Sequence, residues 1–279
     1  MTPDPVIRVR GLRKTYGGTL AVADLDLEVA AGEVVALLGP NGAGKTSTIE
    51  ILEGHRDRDA GTVSVLGQDP AHAGLDWRAG IGIVTQDGAD LAELTVQEAV
   101  RHFARYYPHP RHPDEVVELV GLTGKARARV RTLSGGQRRR LDVAIGVVGR
   151  PRLLFLDEPT TGFDPQARRQ FWTLIRRLAH EEGVTILLTT HYLEEAEALA
   201  HRVAVLVAGR VVAEGTPTAL GGRATARSVV IWADGRQETE DPAALVAELT
   251  RRYGGTVPGL SVSRPTLEDV YLDLIGAAS

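Results

Sequence analysis

The chain has 279 residues, of which 43% are hydrophobic, enough for a proper core in one large α/β domain with a small appendage. Its formal net charge of −4, with both signs interspersed, gives no basic footprint, so nucleic acid is not expected as a main partner. The absence of cysteine excludes disulfides and thiolate metal sites, and without a signal peptide or an apolar run of about 20 residues, any membrane role must use a partner protein.

The first segment, residues 6–30, alternates apolar and polar side chains around a turn at Tyr16, Gly17 and Gly18. Such alternation predicts short antiparallel strands. Tyr16 then stands at a strand end, where it either packs against the strand or offers an aromatic face to a nucleobase. Its position alone favours packing, and both interpretations stay open at this point.

The next segment contains a glycine-rich pattern in a setting typical of phosphate binding. Residues 39–46 read Gly-Pro-Asn-Gly-Ala-Gly-Lys-Thr, which fits G-x-x-x-x-G-K-[ST], between the apolar run 34–38 and a predicted helix. Glycines let successive backbone N–H groups turn inward, and the positive end of the helix adds to their attraction for an anion. Lys45 is expected to reach the β and γ phosphates, and the Thr46 hydroxyl to face Mg²⁺.

The middle of the chain is predicted to contain further strands and a helical insertion. Residues 61–66 and 81–86 have the pattern of strands. The insertion is expected at about residues 88–150, where Thr95 and Glu98 form a capping-box pattern and several prolines interrupt the stretch that follows.

A second glycine-rich helix start lies inside that insertion. Ser134, Gly135, Gly136 and Gln137 precede a predicted helix at residues 138–148, with Ser134 as a candidate N-cap. An isolated Ser-Gly-Gly is usually a simple capped turn, but the helix dipole would also favour an anion here. The residues alone leave both interpretations open.

Candidate site residues follow the carboxyl ends of four apolar runs. They are Gly39, which opens the glycine-rich loop, and the polar residues Gln86, Asp157 with Glu158, and His191. Because open parallel sheets bind ligands at that edge, these groups are expected to share one site. Asp157 could hold Mg²⁺ through water, and Glu158 could orient or deprotonate an attacking water. Gln86 and His191 could contact that water or the γ-phosphate.

Taken together, these motifs resemble those of the ATP-binding subunit of ABC transporters over about residues 6–220. In order, they are the Walker A loop at 39–46, the Q-loop at Gln86, the signature at 133–137, Walker B at 153–157 with Glu158, the D-loop through Asp164 and the H-loop at His191. The order makes the resemblance very specific. It implies an α/β fold of the P-loop NTPase type, an ABC ATPase core with an antiparallel β subdomain and the helical insertion.

The resemblance also implies ATP and Mg²⁺ as ligands and a role for each motif residue. Tyr16 would stack on adenine, and the signature would bind the γ-phosphate held by a second copy in a head-to-tail homodimer. Catalytic roles would belong to Glu158, His191 and Gln86, and Mg²⁺ contacts to Thr46, Gln86 and Asp157. The implied nucleotide-binding residues are Tyr16, Gly39, Pro40, Asn41, Gly42, Ala43, Gly44, Lys45, Thr46, Ser47, Ser134, Gly135, Gly136 and Gln137.

The implied function is ATP hydrolysis that powers export through a separate transmembrane permease, at the cytoplasmic face of the cell membrane. Three segments resemble those of the branch that includes drug-resistance and ABC-2 type exporters, at residues 133–142, 160–165 and 265–272. A soluble ABC ATPase without a transport role and an importer ATPase are the alternatives. The exposed part of the insertion near residues 91–100 is expected to contact the permease.

Residues 1–221 are predicted to form the ATPase domain and residues 222–279 a small α/β appendage. The appendage has the pattern of a strand at 227–233 and of helices at 242–253 and 266–275. It either packs against the core or serves regulation or dimer contact, and the sequence favours packing.

Overall fold

The computed structural model describes residues 4–85, 91–225 and 227–278. The elements of the first half are β1 (Ile7–Tyr16), β2 (Thr19–Val29), β3 (Val34–Leu38), α1 (Lys45–Leu52), β4 (Ala60–Val65), α2 (Leu75–Ala79), β5 (Ile81–Val84), α3 (Val96–Ala104), α4 (Pro113–Leu119) and α5 (Gly135–Val147). Those of the second half are β6 (Leu153–Asp157), α6 (Pro165–His180), β7 (Thr185–Thr190), α7 (Leu193–Leu199), β8 (Arg202–Val207), β9 (Arg210–Gly215), β10 (Ser228–Trp232), β11 (Gly235–Thr239), α8 (Pro242–Tyr253), β12 (Ser261–Ser263) and α9 (Leu267–Ala278). In these described parts of the chain, no helix has the length and hydrophobicity needed to cross a bilayer.

Six strands form the central sheet, in the order β5-β6-β7-β3-β8-β9. The first five run parallel, and β9 lies antiparallel at the edge. Every residue of β3, β6 and β7 is buried, as expected for parallel strands covered on both faces. Alternate residues therefore enter two hydrophobic clusters, with Leu38 in one and Leu37 in the other.

This strand order brings the carboxyl ends of β5, β6, β7 and β3 side by side at one edge of the sheet. Asp157 is the last residue of β6, Gly39 follows β3, and His191 follows β7. The shared edge that the sequence predicted for these three positions is confirmed by the register, in which Asp157 pairs with Thr189 and Leu38 with Thr190.

A second, antiparallel sheet in the order β2-β1-β4 packs against the central sheet. The antiparallel strands predicted within residues 6–30 are confirmed, and Tyr16 pairs with Thr19 across their turn. They are longer than the short strands that were expected, at 10 and 11 residues. Their inward residues, Ile7 and Leu25 among them, join the cluster that contains Phe155.

The segment between β5 and β6 contains α3, α4 and α5. The predicted capping box is confirmed, because the Thr95 hydroxyl accepts from the Glu98 N–H while the Glu98 carboxylate accepts from the Thr95 N–H. Helix α5 begins at Gly135 and not at Arg138 as predicted. The Ser134 hydroxyl accepts from the Gln137 N–H and closes a first turn that contains two glycines, whose low helix propensity concealed this start.

The end of the chain forms a third sheet, in the order β11-β10-β12, which α8 covers. Val230 packs there with Leu245 and Leu249 in a small cluster of its own. Helix α9 instead returns to the main cluster through Leu267 and Tyr271. The strand and both helices predicted for this region are confirmed, and the domain boundary at residue 221 stays a prediction.

Candidate active site

The phosphate-loop pattern forms the turn between β3 and α1, and its glycines meet steric demands that no other residue would meet. Gly42 and Gly44 have φ of 81° and 98°, in the region that disfavours side chains. A Cβ on Gly39 would lie 2.3 Å from the Leu206 carbonyl oxygen, and one on Gly44 would lie 2.2 Å from that of Ala21. Helix α1 has no side-chain cap, so its first N–H groups remain available to an anion.

Lys45 lies at the start of α1 with its side chain 4% exposed. Its ammonium donates to the carbonyl oxygens of Gly39 at 2.9 Å and Pro40 at 3.1 Å. It also lies 3.3 Å from Oε1 of Glu158. The cation therefore joins the loop after β3 to the carboxylate after β6.

Asp157 and Thr46 bring oxygen ligands together beside that loop. The Thr46 hydroxyl donates to Oδ2 of Asp157 at 3.3 Å, and the Thr189 hydroxyl donates to Oδ1. A hydroxyl and a carboxylate fit Mg²⁺, which takes few protein ligands and completes its octahedron with phosphate oxygens and water. Within residues 4–85, 91–225 and 227–278, no group of three or more His, Cys, Asp or Glu side chains could hold a metal by itself.

Glu158 is the carboxylate best placed for chemistry. Oε1 faces Lys45, Oε2 lies 3.3 Å from Nδ1 of His191, and the side chain is 12% exposed. Burial raises the pKa of Glu158, but the charges of Lys45 and His191 outweigh it, so the pKa lies below its ordinary value. The group is therefore ionised at neutral pH and can accept a hydrogen bond or a proton from water.

The structure thus brings together Lys45, Thr46, Asp157, Glu158 and His191. Gln86, the other residue predicted at this edge, lies outside the described residues. It follows Thr85 and strand β5, whose neighbour in the sheet is β6.

The signature residues form the N-terminus of α5. Ser134 and Gly135 are exposed, and the Gln137 side chain accepts from the Ser134 N–H at 3.1 Å. Gly135 and Glu158 also line a common cavity of about 290 Å³ between α5 and the loop after β6. The exposed helix N-terminus can take an anion from outside the subunit.

Tyr16 lies outside the hydrophobic core, with 37% of its surface exposed. The ammonium of Lys14 lies 5.5 Å from the ring centroid, and the guanidinium of Arg56 lies 5.2 Å from it. The ring therefore packs with two cations at the surface. Its contact with adenine stays a prediction.

Three residues near the site were not singled out from the sequence. The Thr189 hydroxyl accepts from the Glu158 N–H at 3.0 Å and donates to Asp157. Its signal was a polar residue at the end of an apolar run, the same pattern that identified His191. Arg139 lies in a run of three arginines that resembles a charged surface, and Glu53 follows α1 without a motif.

The family model for ABC transporters matches residues 22–161. The Nod factor export ATP-binding protein I of Rhizobium johnstonii is 42% identical over 300 residues, which cover 97% of this chain and 94% of that protein. The chain belongs to the ABC transporter family. The daunorubicin/doxorubicin resistance ATP-binding protein DrrA of Streptomyces peucetius is likewise 39% identical, over 98% of this chain and 93% of that protein.

The fold of this ABC transporter ATPase also matches solved structures of its family. The dimeric bacterial cassette MJ0796 superposes with a TM-score of 0.67 at 24% identity, over 75% of this chain and 98% of that one. The α/β fold, the family and the ATPase activity predicted from the motifs are confirmed. The roles of the individual site residues stay predictions.

A buried carboxylate lies at the C-terminal end of α1 in this ATPase. Glu53 follows α1, is 5% exposed, and has Oε2 3.3 Å from Nδ1 of His55. Burial, and then the negative charges of Asp157 and Glu50, raise the pKa of Glu53 to about 8. It lines a cleft of about 300 Å³ together with Gly54, His55, Arg78, Ile81, Ile83, Phe103, Tyr107, Ile145 and Gly146.

We expect Glu53→Gln to stabilise the ATPase in alkaline solution. The pKa of Glu53 is higher in the folded chain than in the unfolded one, so its contribution to stability is complete below about pH 4.5 and is lost as the pH rises toward 8. The amide carries no charge, and the gain in unfolding free energy should be on the order of a few kcal/mol at pH 8 and near zero at pH 4.5.

Urea unfolding across this pH range, without nucleotide or Mg²⁺, measures the effect. The exposed Glu181→Gln is the matched control and should follow the wild type. Parallel pH profiles for the wild type and Glu53→Gln would contradict the raised pKa.

Proposed function

We propose that this chain is the ATP-hydrolysing subunit of an exporter and works through a separate transmembrane permease. The observation that carries the proposal is the convergence of Lys45, Asp157, Glu158 and His191 at one edge of the parallel sheet. Relatives that cover nearly the whole chain are named for Nod factor export and drug resistance. The importer and non-transport alternatives are therefore not favoured.

The phosphate loop and Lys45 bind the triphosphate of ATP in this proposal. The loop has two glycines with positive φ and an uncapped helix start, which together present backbone N–H groups to an anion. The ammonium of Lys45 already has carbonyl and carboxylate partners within 3.3 Å. Tyr16 offers its exposed ring to the adenine.

Thr46 and Asp157 would hold Mg²⁺, with Gln86 as a further contact. When bound, the ion supplies neutralising charge to the β and γ phosphate oxygens. The hydrogen bond from Thr189 fixes the orientation of the Asp157 carboxylate and so supports this role.

Glu158 orients the attacking water and accepts its proton. Its lowered pKa keeps the carboxylate ionised, and its position between Lys45 and His191 restricts its rotation. His191, whose Nδ1 lies 3.3 Å from Oε2 of Glu158, would contact the same water or the γ-phosphate. Together the three groups would serve displacement by water at that phosphate.

The active unit in this proposal is a homodimer in which each ATP lies between two copies. Ser134, Gly135, Gly136 and Gln137 would bind the γ-phosphate held by the other copy. Exposure of Ser134 and Gly135 at the N-terminus of α5 supports this, because the positive end of the helix dipole attracts an anion.

The dimer would bind the permease at the cytoplasmic face of the membrane, through residues 91–100 and the adjoining insertion. A docking role for the adjoining part of the insertion is supported by the cleft that contains Glu53, because Phe103 and Tyr107 of the insertion line it together with Gly54, which follows α1. A partner in that cleft would contact both the insertion and the phosphate-binding helix.

Residues 1–221 are proposed as the ATPase domain, with the helical insertion at about 88–150, and residues 222–279 as the appendage. The separate small cluster around Val230 supports an independently packed sheet. The return of α9 to the core supports a packing role for that helix.

The first test is Glu158→Gln, which removes the proposed base and keeps the shape of the side chain. Turnover of MgATP should fall by about 10²-fold or more while ATP still binds. In the presence of ATP, a stable dimer of the variant should also accumulate, which size-exclusion chromatography would detect. Near-normal steady-state turnover would rule out this role for Glu158.

Replacement of Lys45 tests the phosphate contact. Lys45→Ala should weaken nucleotide binding and abolish hydrolysis, because it removes the buried charge next to the loop. Lys45→Arg should not restore activity, since the planar guanidinium is larger than the ammonium it replaces. Calorimetric titration with ATP and a phosphate-release assay measure both effects, and full activity of Lys45→Arg would contradict the proposed geometry.

Cysteine cross-linking tests the permease contact in a chain that has no native cysteine. A cysteine at Glu93, whose side chain is 67% exposed, should cross-link to the membrane protein that purifies with this ATPase. A cysteine at the exposed Ala247 of α8 is the control and should not react with it. The reverse pattern would assign docking to the appendage.

A further inference from the structure

Glu158 has a backbone conformation that a non-glycine residue rarely adopts. Its φ is 43°, in the left-handed region, where the Cβ crowds the backbone. Such strain persists only where surrounding contacts hold the residue in position. The structure must therefore contain groups that fix the peptides on either side of Glu158.

Arg139 of α5 supplies those contacts. Its Nη2 donates to the Asp157 carbonyl at 2.9 Å, and its Nε donates to the Pro159 carbonyl at 3.0 Å. These are the carbonyls of the residues directly before and after Glu158. A third bond, from Nη1, goes to the Thr85 carbonyl at the end of β5.

Arg139 is a buried cation whose partners are all within the protein. The residue is 6% exposed, and burial lowers the pKa of Arg139 while the charges of Asp142, Asp157 and Glu195 act against that shift. A buried cation needs partners, and carbonyls anywhere around α5 could satisfy it. Here the guanidinium, a rigid planar fork of donors, bonds to both neighbours of the strained Glu158.

We propose that Arg139 is a positioning residue that holds the backbone of Glu158 in the conformation its carboxylate requires. With both flanking carbonyls held, Oε1 faces Lys45 and Oε2 faces His191. Because Arg139 belongs to the helix that Ser134 caps, the same side chain ties Glu158 to the signature helix. The inference rests on the proposed role of Glu158 in hydrolysis.

The first experiment compares turnover by Arg139→Met and Arg139→Lys in the full chain. Arg139→Met keeps an extended apolar stem and loses all three bonds, so kcat should fall by about 10- to 100-fold, the effect expected of a misplaced catalytic group. KM for ATP should change by less than about threefold, because the phosphate loop is untouched. Arg139→Lys can still donate to a carbonyl and should recover part of kcat.

Arg177→Met is the matched control. Arg177 lies on α6, is 47% exposed, and pairs with Glu181 away from the site. Its turnover should equal that of the wild type. Thermal unfolding shows which variants are folded. If Arg139→Met does not fold, Arg139→Lys and Arg139→Gln allow the same comparison of kcat with KM.

A double-mutant cycle separates positioning from a general loss of structure. If Arg139 acts through Glu158, then Arg139→Met should slow Glu158→Gln by less than about twofold, because the group it positions is already gone. Single-turnover hydrolysis of MgATP measures the slow variants. If Arg139→Met instead caused a general structural defect, the double variant would lose activity by the product of the two single losses. That result would overturn the inference.

The experiments distinguish failure of the Arg139 inference from failure of the proposed role of Glu158. Wild-type kcat in the Arg139 variants, next to a slow Glu158→Gln, would overturn the inference about Arg139 alone. Near-normal turnover by Glu158→Gln would overturn the proposed role of Glu158 and the positioning role with it. An increase in KM at unchanged kcat would make Arg139 a binding residue and would also overturn the proposal.

Discussion

The ion pair between the buried Lys45 and the largely buried Glu158 is the interaction on which the site depends. It joins a loop after β3 to a carboxylate after β6, although β7 lies between these strands. In a water-poor site the attraction is strong, but it compensates for the loss of hydration only if both groups keep good geometry. The hydroxyl of Thr189 and the ring of His191, both supplied by the end of β7, complete that geometry.

The strained backbone at Glu158 belongs to the same arrangement. A left-handed backbone turns the chain sharply after Asp157, so that successive residues can face different partners, with Asp157 toward Thr46 and Glu158 toward Lys45. Conformations of this kind cost of order 1–3 kcal/mol and persist where the surroundings compensate. Arg139 contributes by bonding to the carbonyls on both sides, which connects α5 to the chain that follows β6.

Predictions from the sequence succeeded where the signal is local. The phosphate loop and the Thr95 capping box depend on residues a few positions apart, and the backbone conformations they require leave little choice of residue. The start of α5 was placed too late, because the glycines at 135 and 136 reduce helix propensity while the Ser134 cap restores the first turn. The shared sheet edge followed from the rule for parallel strands and required no contact to be known.

The sequence by itself determined the family, the phosphate loop and the order of the motifs, because each is written in residues that are close along the chain. Only the tertiary structure decided what Arg139, Thr189 and Glu53 do. Arg139 bonds to Thr85 across 54 positions, and Thr189 bonds to Asp157 across 32. The pKa of Glu53 is raised first by burial. Contacts between residues far apart in sequence, and the removal of a side chain from water, arise only when the elements pack. The spacing of residues along the chain therefore does not predict them.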